Sequence, residues 1–342
     1  MLTETHRTRP PRRADRGRIL LLCLPALVLI LASTAPAQTG SELALKPFDA
    51  ELGLDGAGDV FAYERGRDNE SGETLRLFIV ESEGRFRLKP GDVASPRVGY
   101  DFTYFNVDTD APAIPRQLFD QSIGIATPIG IYENWIFGVS LGLGYAGPTP
   151  FGDGDAWYGL ASIAVFKKFN EKTALAVGID YNGNRTFAPD IPLPGFAYIA
   201  QLSPELELTV GLPITAINWE PMERVRVQVA YELVDNVEAR VGYEFIKGVE
   251  AYGSLGQRSD AFFIDGLSSG NERLLFEQRR AEVGLTWRTR DSGVGEQDIE
   301  LTAAVGYGWS GEFSAGFDQR DSELVADVSD EPYLRLGLRL RF

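Results

Sequence analysis

From about residue 96 onward the chain repeats one pattern: about ten residues in which apolar side chains alternate with polar or small ones, then a break rich in Gly, Pro, Asn or Asp. A period of two puts successive side chains on opposite faces of an extended strand, and helical periodicity is nowhere sustained. Trp135, Phe137, Val139, Leu141, Leu143 and Tyr145 share one face, while Gly138, Ser140, Gly142 and Gly144 share the other. Val225–Tyr231, Val237–Phe245, Ala281–Trp287 and Ile299–Trp309 behave in the same way. The chain is therefore all-β.

Alternation alone suits a soluble sandwich, with its apolar faces turned inward, or a membrane barrel, with them turned to lipid. Strand length and aromatic placement favour the barrel. Segments of about 9–11 residues whose apolar face ends in an aromatic fit a bilayer band with interfacial girdles, and Tyr145, Tyr181, Tyr231, Trp287 and Trp309 sit at such ends.

The pattern predicts strands near 97–107, 117–127, 133–145, 157–169, 173–182, 195–202, 205–217, 223–232, 237–246, 277–289, 298–309 and 332–342. Connections 108–116, 146–156, 183–194, 247–276 and 310–331 are then long and surface-facing. Those at Ile129-Gly130, Asn170-Glu171-Lys172, Ser203-Pro204 and Asp235-Asn236 are tight. Two connections break the rhythm: Glu220-Pro221-Met222 is short where a long loop belongs, and 290–297 is middling where a turn belongs. The expected fold is an antiparallel up-and-down transmembrane β-barrel of about 12 strands, with 10–14 compatible, and with both barrel ends on the periplasmic side.

The first 37 residues read as a cleaved signal peptide. A basic stretch precedes the apolar run Ile19–Leu31, and Ala35-Pro36-Ala37 fits a small-x-small cleavage site. The leader holds six of the 33 bases and two of the 49 acids, so the remainder carries a net charge of −20. That acidity speaks against nucleic acid as a partner. His6 and Cys23, the sole histidine and cysteine, both lie in the leader. Histidine- or thiol-based catalysis, His or Cys metal sites and disulfides are thereby excluded from the rest. Only six lysines remain for a Ser/Lys site, none at a recognisable spacing, so no enzyme activity, cofactor or metal is expected.

Residues 38–95 are less regular. Strand-like Asp59–Tyr63 and Thr74–Val80 flank a polar turn at 66–72, which leaves three readings: an extra hairpin in the wall, a periplasmic extension or a lumen plug. Residues 96–342 form the barrel proper.

At the C-terminus Leu334, Leu336, Leu338, Leu340 and Phe342 make one apolar face, and the chain stops on the aromatic. This resembles the last strand of bacterial outer-membrane β-barrel proteins. The resemblance implies location in the outer membrane, contact with its lipid, and recognition by the barrel-assembly machinery through Leu336, Leu338, Leu340 and Phe342. The stretch Gly195–Tyr231, with Gly211-Leu212-Pro213 between strand halves and Trp219-Glu220-Pro221 at a turn, loosely resembles a family of predicted outer-membrane barrels of unknown function, which brings no catalytic residue with it.

Candidate chemistry is sparse. Gly142-Leu143-Gly144-Tyr145-Ala146-Gly147 spells the dinucleotide fingerprint but runs into Pro148 instead of opening a helix, so its glycines are read as relieving crowding on the inner wall. Asp153-Gly154-Asp155 and the acidic group Asp318, Asp321, Glu323, Asp327, Asp330 and Glu331 could hold hard cations, yet lack a full ligand set and read as solvated loops. The informative group is Arg224, Arg226, Glu232, Glu238, Arg240, Glu244, Arg280, Glu282, Arg288, Glu300, Arg335, Arg339 and Arg341. All fall opposite the apolar face, and each arginine would cost ~2–4 kcal/mol in hydrocarbon at the midplane. They are expected to line the lumen, either as a hydrated pore or as a lumen closed by cross-strand ion pairs.

The sequence thus points to a passive channel for small solutes, gated by loops 146–156, 247–276 and 310–331, or to a structural envelope protein. A secreted or periplasmic soluble all-β binding protein is the alternative, and an acidic surface-adhesion barrel a third reading.

Overall fold

The computed structural model describes residues 39, 43, 52–67, 72, 74–92, 94–232, 236–264, 271–292 and 298–342; the leader lies outside them. In chain order the strands are β1 (Leu54–Tyr63), β2 (Gly66–Arg67), β3 (Thr74–Arg87), β4 (Arg97–Thr109), β5 (Gln117–Tyr132), β6 (Trp135–Gly147), β7 (Trp157–Lys168), β8 (Thr173–Asn182) and β9 (Leu193–Ser203). They continue as β10 (Leu206–Leu212), β11 (Ile214–Met222), β12 (Val225–Glu232), β13 (Asn236–Ile246), β14 (Val249–Phe263), β15 (Arg273–Arg288), β16 (Asp298–Gly316), β17 (Glu323–Val328) and β18 (Glu331–Arg341). One helical turn, α1 (Thr289–Ser292), joins β15 to β16.

Every pairing is antiparallel, and β18 pairs with β1 from Tyr63↔Tyr333 to Asp55↔Arg341, which closes the sheet. β2 and β17 are short additions beyond the wall, since β1 pairs directly with β3 and β16 directly with β18. Closure pairs each of the wall strands on both sides, the condition for β-structure to cross a bilayer.

The wall therefore has sixteen strands, not the twelve expected. β1 and β3 come from the irregular N-terminal region and β14 from the expected loop 247–276. The fourth arises because 205–217 is a hairpin instead of one strand: Leu206 pairs with Trp219 and Thr209 with Ala216, around a turn at Pro213. That split removes one of the two irregular connections. Glu220–Met222 is short because it belongs to the end of the barrel that carries most of the tight turns, here called the near end, which also holds Leu54, Arg341 and the two longer connections 88–96 and 289–297. The connection between β12 and β13 correspondingly moves to the far end.

The apolar faces point outward. Leu336 is 65 % exposed, and Leu301, Val283, Leu255 and Val241 are also exposed on the outside of neighbouring strands. A soluble binding protein would bury those faces against one another, so the alternative is not favoured. Lipid is the solvent that removes this surface from water. Val305→Arg, on the outside of β16, is expected to destabilise the barrel by ~2–4 kcal/mol when urea unfolding is followed in phospholipid vesicles. A change under about 1 kcal/mol would place that face against something wetter than hydrocarbon.

The wall is uneven. β10 has 7 residues and β12 has 8, whereas β14, β15 and β16 have 15, 16 and 19. The tall strands do not stand clear of the far end. On the lumen side of β4, Phe105 meets Phe262 of β14 and Phe276 of β15 at ring-centroid distances of 5.3 and 5.1 Å, across the barrel. Leu75, Leu77, Ile79, Leu118, Leu274 and Phe313 complete a fully buried apolar core there.

Candidate functional site

Below that core the lumen is charged, because each inward position of the near half must face water or a partner. Glu250, near the start of β14, is 2 % exposed and receives hydrogen bonds from Arg240 at 2.9 Å, Arg288 at 3.1 Å and Arg226 at 3.3 Å. Arg288 also binds Glu300 at 2.8 Å, and Arg226 lies 3.8 Å from Glu244. Higher up, Glu282 accepts from Arg335 at 2.7 Å, Tyr252 at 2.9 Å and Tyr333 at 3.0 Å, and Arg335 reaches Asp59 on β1 at 2.8 Å. Arg280 lies over the Phe61 ring at 5.2 Å. At the near rim Arg341 bridges Asp298 at 3.2 Å and Asp55 at 3.5 Å, while Arg339 faces Glu83 at 3.8 Å.

Twelve of the thirteen residues singled out in the sequence thus stand on inward wall positions, Glu232 and Glu238 beside the cavity described below. Arg224 does not. It is an exposed residue of the β11–β12 turn at φ 69°, because the wall strand begins one residue later. The sequence reading missed Asp55, Asp59, Glu81, Glu83 and Arg85 on β1 and β3, and Glu250, Arg258 and Asp260 on β14. Arg258 pairs with Asp260 on its own strand and with Glu81 of β3 across the lumen.

The inner-wall glycines have a steric reason. A Cβ on Gly142 would come 2.8 Å from the Ile123 carbonyl oxygen, and one on Gly144 would meet the Tyr158 ring at 2.0 Å. No helix follows them, so the segment lacks the helix N-terminus on which a dinucleotide fingerprint places its pyrophosphate. Asp153 accepts from the Asp155 backbone N–H at 2.9 Å. Asp318 accepts from the Ala188 N–H at 3.1 Å and from Arg320 Nε at 3.0 Å, which ties two far-end loops together and holds its carboxyl below the usual range. Among the described residues no group of acidic side chains is arranged to hold a metal ion. Within 38–95, the wall takes Leu54–Tyr63 and Thr74–Arg87. Thr39 and Leu43 lie inside the barrel, Thr39 Oγ1 at 2.9 Å from Ser122 Oγ and Leu43 against Gly124 of β5.

The far mouth is covered by the tips of β14 and β15. Arg273, 1 % exposed, donates to the carbonyl oxygens of Gly183 at 2.7 Å, Asn271 at 2.8 Å and Phe317 at 3.2 Å, and to Asp190 at 3.2 Å. Asn184 donates to Asp120 at 3.0 Å and to the Ala261 carbonyl at 2.9 Å, and Gln319 donates to Ser259 at 3.3 Å. Of the loops expected to gate the mouth, 247–276 is mostly wall, and its covering part is the strand tip. A cavity of about 540 Å³ remains beneath this cover.

A closed up-and-down barrel with an apolar exterior and a charged interior is the architecture of bacterial outer-membrane β-barrel proteins. No protein-family model matches the chain, and no curated protein matches it in sequence. Among solved structures it is similar to a TodX monoaromatic hydrocarbon channel mutant (9 % identity, TM-score 0.41, covering 90 % of this chain and 94 % of that one). It is also similar to an outer membrane channel from Pseudomonas putida F1 (11 % identity, TM-score 0.33, 85 % and 96 % covered) and to OpdQ from Pseudomonas aeruginosa (9 % identity, TM-score 0.35, 85 % and 98 % covered).

Proposed function

We propose that this protein is an integral outer-membrane barrel that passes small solutes along its charged inner wall, with the near end in the periplasm and the far end at the cell surface. The observation that carries this is the charged cavity enclosed by a sixteen-stranded wall whose outside is apolar. Barrels of this strand number have room for an aqueous path beside their lining side chains. Here the path is narrowed by the ion-pair belts and capped by the β14–β15 tips. On the last strand Leu336 and Leu338 face outward, which supports recognition of this strand by the barrel-assembly machinery as part of the same reading.

Purified protein in planar bilayers is expected to show small, intermittent conductance steps that favour cations, because the chain beyond the leader is acidic. No step at any voltage would retire the channel and leave a structural role in the envelope.

A further inference from the structure

The cavity beneath the covered mouth is lined by residues of most of the wall strands. Its lining includes the far ends of β8 to β13, among them Asn182, Leu193, Leu212, Pro213, Glu232 and Asn236. This is the low side of the wall. A strand of seven residues rises about 23 Å along its own axis and only ~18 Å along a barrel axis to which it is tilted by ~40°, short of the ~25 Å height of an apolar band. The apex of the β10–β11 hairpin therefore ends inside the level that the tall strands span. Its composition agrees: the turn is Val210-Gly211-Leu212-Pro213-Ile214, without one charged or hydrogen-bonding side chain, and Val210 and Leu212 are 46 % and 47 % exposed. A turn standing in surface water is ordinarily built of polar residues.

Behind this rim the lining is acidic. It holds nine carboxylates against six guanidiniums. Asp101 of β4 faces the cavity and has no ion pair or hydrogen bond among the described residues, while Glu81, Glu83, Asp120 and Asp260 are the charged groups that bear on it.

We propose that the cavity opens sideways, over the β10–β11 rim, to the outer leaflet of the membrane, and that it binds an amphipathic molecule whose apolar body lies along the rim while a cationic end group reaches Asp101. This rests on the membrane-barrel reading above. It differs from simple diffusion in naming both the route and the ligand class. The capped mouth is then no obstacle, since the ligand arrives through lipid.

The test uses folded protein, each variant first checked for heat-modifiable migration on a denaturing gel. Native mass spectrometry out of detergent micelles is run with dodecylamine and, separately, with dodecanoic acid. One retained dodecylamine per barrel is expected, with dodecanoic acid held at least several-fold more weakly. Asp101→Asn should erase that preference. Ala230→Phe, which fills the cavity behind the rim, should abolish retention. Cross-linking Ser259→Cys to Gln319→Cys, which pins the cap, should leave dodecylamine binding unchanged. Equal retention of the acid, no retained amine, or binding that survives both Asp101→Asn and Ala230→Phe would overturn the site. Loss of binding on pinning the cap would overturn the lateral route. Failure of the membrane reading shows itself separately, as a protein that stays monodisperse without detergent.

Discussion

Glu250→Ala is expected to cost about 3–5 kcal/mol of folding free energy, because it removes the shared partner of three guanidiniums in a nearly closed belt and leaves them facing one another. Arg240 and Arg288 have few alternatives: Arg240 also reaches Thr286 at 2.9 Å, and Arg288 keeps Glu300. Arg226 is better supplied, with Glu220 at 3.6 Å and Glu244 at 3.8 Å. Burying an unpaired charge carries a larger penalty than the ion pair itself is worth, so the single change should be far worse than a joint one. Glu250→Ala combined with Arg240→Ala should recover part of the loss. A second route to the same outcome is Gly242→Ala. The carboxyl carbon of Glu250 lies only 2.5 Å from where that Cβ would stand, so the methyl group displaces the carboxylate without deleting it. Urea unfolding in detergent or vesicles, read by gel shift, measures all three. A loss under about 1 kcal/mol for Glu250→Ala would mean that the belt is wet and the pairs are worth what surface pairs are worth.

How far the sequence reveals this barrel depends on where lipid sets the pattern. Strands such as β6, β12, β13 and the near half of β16 carry one apolar and one polar face along their whole length, so a period of two marks them. β3 does not. Phe78, Val80 and Phe86 face out while Leu75, Leu77 and Ile79 face the buried far-end core, so both faces are apolar and the alternation disappears. β14 fails for a related reason. Its near half obeys the rule, with Ala251 and Leu255 outside and Glu250 and Tyr252 inside, but Phe262 at the tip is apolar on the lumen side and Gln257 and Ser259 are polar on the outer side. The hairpin of β10 and β11 hides because its turn is as apolar as the strands it joins. Its one trace is a change of parity, from Leu208 and Val210 outside to Ile217 and Trp219 outside. The inward charges were legible as a face, since arginine in hydrocarbon is costly. Only some of their partners were, because Asp55, Asp59, Glu83 and Glu250 come from the strands the pattern conceals.

The larger effect is expected from removing the cap. Replacing Ser259–Glu277 with an Asn-Gly turn joins Arg258 to Gln278, which face each other in the sheet, through the two-residue connection that a twisted hairpin prefers. The shortened strands, Val249–Arg258 and Gln278–Arg288, keep about ten residues each, the length a tilted strand needs to span the apolar band. The wall should therefore still close and migrate as a folded barrel. Phe262, Leu274, Phe276 and Arg273 leave together, so the far-end core loses the half supplied by β14 and β15, and loops 183–192 and 317–322 lose their common anchor. Planar-bilayer conductance should rise several-fold, with fewer closures, while cation preference persists because only Asp260 of the nine lining carboxylates is removed, leaving eight against six guanidiniums. Arg273→Ala alone should produce a smaller rise, since three backbone carbonyls lose a donor but the aromatic contacts of Phe105 remain. If the shortened barrel folds and conducts no better than the full chain, the restriction lies lower, in the ion-pair belts, and the tips of β14 and β15 serve only to hold the surface loops in place.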